Sequence, residues 1–171
     1  MPGHLSSRHT FLAVCCLIGG ATRTRAQDTS FAAMQARGKV AMGVDQYASI
    51  HRFDDLSDGG RIQLQNDKKD SVATRVIRTH LRGIAKAFSS GDFSTPAFVH
   101  MTSVPGSQAM TSRREAIRYA VEDRPGGGAL RMVTSDTTAI RAIHEFLAFQ
   151  RSKHHAAGHD MHGGMPPMQS P

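Results

Sequence analysis

The chain of 171 residues has no tryptophan, two tyrosines and only two cysteines. Aromatic residues make up 6% of it, and 39% hydrophobic residues supply one modest core rather than two. Both cysteines, Cys15 and Cys16, fall inside the apolar stretch Thr10 to Ile18. If that stretch is removed, what remains has no disulfide, no thiol nucleophile and no thiolate metal ligand. No run of about 18 apolar residues is present, so no membrane-spanning helix is expected. Also missing are a G-x-S-x-G elbow, an H-E-x-x-H pair, a P-loop and a Rossmann fingerprint. Gly126-Gly127-Gly128 reads as a hairpin turn rather than a phosphate cradle ahead of a helix. No spacing of carboxylates points to glycoside chemistry, and Asp54-Asp55 reads as part of a solvated turn.

The formal charge of +7 is less informative than its size suggests. Arg8, Arg23 and Arg25 lie in residues 1–26 with no acid beside them. The remainder is only weakly basic, without the clustered stripe that nucleic acid requires. Residues 1–26 read as a signal peptide: a basic head at Arg8, the apolar middle, and the small residues Gly19-Gly20-Ala21. Cleavage fits after Ala21 or after Ala26, and Ala26 leaves a polar start at Gln27-Asp28-Thr29. The expectation is a periplasmic or secreted protein with one domain over 27–154.

Asp28-Thr29-Ser30 offers caps for a helix over about 31–42. Alternation over Tyr47–Leu56, a turn at Asp58-Gly59-Gly60 and alternation at Ile62 and Leu64 predict a hairpin. Asp70 then caps a helix over about 71–89, with Val72, Val76, Ile77, Leu81, Ile84 and Phe88 as its apolar stripe. Residues 91–107 read as a loop, followed by a short helix near 107–114. The pattern then recurs: a strand at Ile117, Tyr119 and Val121, a glycine turn, a strand at Leu130 and Met132, and a helix over about 137–153. Two ββα repeats predict an α+β fold, a four-stranded antiparallel sheet with both helices packed on one face.

Histidines are the residues most suited to chemistry. His51 shares a strand face with Phe53, while His80 and His144 lie on the apolar stripes of the two long helices. All three are therefore expected at one sheet–helix interface, with His100 or His154 completing a ligand sphere. Neutral imidazoles suit copper, zinc or, less well, haem iron, and each buried ring needs a partner. The alternative is a non-catalytic module that binds a small ligand or protein, its histidines serving structural contacts. Beyond them, residues 155–171 read as a disordered tail. It carries His155, His159, Met161, His162, Met165 and Met168, imidazole and thioether donors suited to copper.

Several segments together carry a resemblance. These are His51-Arg52-Phe53, Asp58-Gly59-Gly60, Ile77-Arg78-Thr79-His80-Leu81 and Gly91-Asp92-Phe93-Ser94-Thr95-Pro96. Val99-His100, Pro105-Gly106, Ile117-Arg118-Tyr119, and Ala142 to Phe146 running on to Gln150 and His154 complete them. Over about residues 31–154 the chain resembles a widespread family of small exported bacterial proteins without an established activity. The resemblance implies a shared role for all five histidines. Lys153 stands where relatives tend to have an acid, and the His/Met tail is peculiar to this chain. Members often carry the label aspartate carbamoyltransferase, which does not fit. That enzyme resembles a chain about twice as long with a Ser-Thr-Arg-Thr loop for carbamoyl phosphate. Here the nearest match, Ala21-Thr22-Arg23-Thr24-Arg25, lies at the exit of the export segment.

Overall fold

The computed structural model describes the backbone of residues 21–66 and 69–156, and side chains from Ser30 onward within that span. Helix α1 covers Ala21–Met42. It begins ahead of the expected start near Phe31 because no glycine or proline interrupts residues 21–31, and alanine and arginine favour helix there. Gly43, at φ +81, ends it, its N–H donating to the Lys39 carbonyl at 2.8 Å. A short 3₁₀ turn at Gln46–Ala48 leads into the hairpin of β1 (Ser49–Leu56) and β2 (Gly59–Asn66).

Helix α2 spans Ser71–Ser89, its first N–H groups at Val72 and Ala73 capped by the Asp70 carboxylate. The stretch expected as a loop contains helix α3, Ser94–His100, seven residues that lack an apolar repeat long enough to announce them. Helix α4 follows at Ser107–Ser112. Then come β3 (Arg118–Arg124), β4 (Gly127–Val133) and α5 (Thr137–His154), the last capped by Asp136 as α2 is by Asp70.

The fold is α+β, as expected: four antiparallel strands in the order β1-β2-β4-β3. The register puts His51, Phe53 and Asp55 of β1 in rows with Leu64, Ile62 and Gly60 of β2, all facing the helices. Each long helix covers the other half's hairpin. Helix α2 packs mainly on β3 and β4, and α5 on β1 and β2. Ile77, Leu81 and Phe88 of α2 meet Ile143, Phe146 and Leu147 of α5 over Leu130 and Met132, all essentially inaccessible to solvent. Among the described residues, no helix is long and apolar enough to cross a membrane.

Asp54 and Asp55 are not a solvated turn. Each is 1% exposed, on opposite faces of β1. On the outer face Arg61 and Arg52 close on Asp54 at 2.7 and 2.9 Å. On the helix face Arg151 of α5 meets Asp55 at 2.9 Å and donates to the Phe53 carbonyl as well. The real turn carboxylate is Asp58, held by Arg131 at 2.9 Å.

Candidate functional site

A cavity of about 100 Å³ opens between α1, the sheet, α2, α3 and the end of α5. His51, His80, His100 and His154 all line it. They come from four elements: β1, α2, the last residue of α3 and the last residue of α5. Phe53, Ile62, Leu64, Leu81, Phe88 and Val99 form much of its apolar wall. Helix α1 closes one side with Gly38, Ala41 and Met42, and Arg37 Nε ties α1 to α3 by donating to the Val99 carbonyl at 2.8 Å.

The His154 ring sits at the centre of the group. Its centroid is 5.4 Å from His51, 5.1 Å from His100 and 5.7 Å from Phe53. Burial lowers its pKa to about 3, with the neighbouring His51, His100 and His155 adding to the effect. Its Nδ1 is buried with no hydrogen-bond partner among the described residues. Burial, then His80, lowers His51 to about 4. All four rings are therefore neutral near pH 7, since burial also lowers His80 and His100.

Two rings are oriented by a carbonyl oxygen. His100 Nε2 lies 2.9 Å from Gln150 Oε1. That oxygen only accepts, so Nε2 carries the proton and Nδ1 keeps its lone pair. His80 likewise donates to the Ala41 backbone carbonyl, which partly opposes the lowering of its pKa by burial. An imidazole whose other nitrogen is fixed in this way is the usual arrangement for a metal ligand.

His144 is not part of the group, which corrects the expectation that it joins His51 and His80. Its Nε2 lies 3.0 Å from the Leu56 carbonyl and 2.9 Å from that of Gly59, at the β1–β2 turn. Ten residues separate it from His154 on the same helix, about 15 Å along the axis. Helical periodicity puts both on the buried face but says nothing about their height. His155 stacks on Phe31 with centroids 4.5 Å apart, outside the cavity lining. His159, Met161, His162, Met165 and Met168 lie outside the described residues, as does most of the expected signal peptide.

Sequence reasoning missed three further lining groups, Met42, Gln46 and Gln150. Gln150 precedes His154 by four residues on α5, a spacing that would have placed it beside that ring. Gln46 Nε2 donates to Met42 Sδ at 3.7 Å. Its amide lies against Gly38, where a Cβ would come within 2.8 Å and make the amide shift. Among the described residues, no three His, Cys, Asp or Glu side chains are already closed around a single point as metal ligands. Comparison with family models, with curated proteins and with solved structures gives no match to this chain.

Proposed function

We propose that the chain is an exported binding protein that holds one copper or zinc ion through His51, His80, His100 and His154. The observation that carries this reading is four neutral imidazoles around one cavity, with the Nδ1 of the central ring, His154, buried and unpartnered. A transition-metal ion is the partner that would satisfy several such nitrogens together. Ring spacing supports it. With metal–nitrogen bonds of about 2 Å, imidazole centroids lie ~3.2 Å from the ion and ~5.2 Å apart at a tetrahedral angle. The His154 centroid is 5.1 Å from His100 and 5.4 Å from His51, both close to that spacing. Haem needs far more room than about 100 Å³, since even drug-sized ligands occupy pockets of roughly 300 Å³ or more.

The apolar wall favours a second reading, a small neutral ligand held by the same imidazoles. Titration of the full chain separates the two. The tail donors are first silenced by His159→Ser, Met161→Leu, His162→Ser, Met165→Leu and Met168→Leu. About one equivalent of copper or zinc, lost in His154→Ala and in His51→Ala, supports the metal reading. No binding of either metal after reconstitution overturns it in favour of the second.

A further inference from the structure

Resting on that metal reading, we infer that the cavity is built for monovalent copper, Cu(I), with the Met42 thioether as an additional ligand, and that it discriminates against zinc. Met42 is 4% exposed, and it lines the same cavity as the four imidazoles. It is the last residue of α1, and Gln46 Nε2, from the 3₁₀ turn that follows, donates to its sulfur. Sulfur keeps a second lone pair after accepting that bond. Thioether is a soft donor that favours Cu(I), and imidazole serves copper and zinc alike.

Charge points the same way. No Asp or Glu lines the cavity among the described residues. The nearest buried carboxylate on the helix face, Asp55, is already engaged by Arg151. The formal charges acting on His100 are those of Lys153 and Arg37, both positive. Every ligand available is thus neutral: imidazole, thioether or amide. The desolvation cost of an ion grows as the square of its charge, so a bare dication costs about four times as much as a monocation in the same apolar cavity. A zinc site usually offsets this with thiolate or carboxylate ligands or a bound hydroxide. This cavity supplies no such protein anion, and its apolar wall of Phe53, Leu64, Leu81 and Val99 leaves little room for hydrated counter-charge.

The test uses the full chain with its tail donors silenced as above. Cu(I) is supplied anaerobically under ascorbate against a chromogenic chelator, and Zn(II) against a fluorescent one. The expected result is Cu(I) binding tighter than Zn(II) by ~100-fold or more. The copper X-ray absorption spectrum should contain a sulfur scatterer beside the nitrogens. Met42→Leu, which conserves volume and should leave the chain folded, should remove the sulfur signal and weaken Cu(I) about tenfold, more than it weakens Zn(II). Zn(II) held as tightly as Cu(I), or a spectrum with nitrogen scatterers alone, would overturn the inference and leave the metal reading standing. Failure of both metals to bind overturns both.

Discussion

The rings of His51 and His154 meet edge to face, centroids 5.4 Å apart and planes 73° apart, although one leaves the first strand and the other the final residue of the last helix. Two imidazolium ions at that distance would repel in a medium that also penalises each charge. The contact therefore disfavours charge on both rings at once, and it makes the packing of β1 against the end of α5 sensitive to pH.

Stability is expected to fall as the medium is acidified from pH 6.5 toward 4. The His51 pKa is depressed from 6.5 to about 4 in the folded chain, so between those values the unfolded chain binds a proton that the folded one does not. The contribution is complete above 6.5 and is lost progressively below it, on the order of 3 kcal/mol for His51 alone. His80, His100 and His154 are shifted in the same direction. Asp54, whose burial alone would raise its pKa but which Arg61 and Arg52 together hold below the usual 3.8, adds a loss only at lower pH. Urea unfolding at pH 7.5, 6 and 5 should show a falling midpoint at constant slope. A midpoint unchanged from 7.5 to 5 contradicts neutral burial of these rings.

The two long helices were legible from apolar stripes that run along them, and the strands from short alternations flanked by glycine turns that occur twice in the same order. Helix α3 was hidden by its brevity and by Pro96 inside it, although Pro in a first turn is compatible with helix. For the site, sequence identified which histidines face inward but not their height on each helix. That is why His144 and His154, on one element, were placed together, and why the cavity formed by α1 with Met42 and Gln46 went unread. Tertiary contact between distant segments decides such positions, and periodicity does not encode it. The two acids of β1 were misread for a related reason. Asp55 is paired by Arg151, 96 residues away, and Asp54 by Arg61 across the hairpin as well as by Arg52, so their burial depends on strand pairing and helix docking that the local sequence does not display.

His144→Ala should separate structure from binding. Removing the ring leaves the Leu56 and Gly59 carbonyls short of a buried donor, a cost of about 1–3 kcal/mol. Copper stoichiometry and affinity should stay at the parent level in the tail-silenced chain, whereas His154→Ala should lose the ion. Loss of copper in a folded His144→Ala would return that residue to the site.

Arg151→Met should be among the most damaging changes outside the cavity. It strips the partner from Asp55, a carboxylate 1% exposed, and leaves the Phe53 carbonyl without its Arg151 donor. Breaking a buried pair on one side costs about 3–5 kcal/mol. Asp55→Leu combined with Arg151→Met should recover most of that loss, because both desolvated charges are then gone. Chemical denaturation of the two single variants and the double variant gives the coupling. Additive losses would mean that the two side chains do not act as a pair.

One substitution, glycine to alanine, should have opposite signs at two positions. Gly106 has φ +77, and a Cβ there would lie 2.1 Å from the Ala142 carbonyl oxygen and 3.1 Å from the Phe146 nitrogen. The backbone before α4 approaches α5 so closely that only a residue without a side chain fits. Gly106→Ala must both adopt an unfavourable left-handed conformation and push two segments of the core apart, so a loss of more than ~2 kcal/mol is expected. Gly83 lies on the exposed side of α2, and a Cβ there meets nothing within 4 Å. Alanine at that position keeps the helix, reduces the freedom of the unfolded chain and should add about 0.5–1 kcal/mol. Thermal melts of both variants beside the parent chain check the pair. If Gly106→Ala melts at the parent temperature, the close passage of the α4 entry over α5 is not present in solution. If Gly83→Ala melts lower, α2 is not a regular helix at that turn.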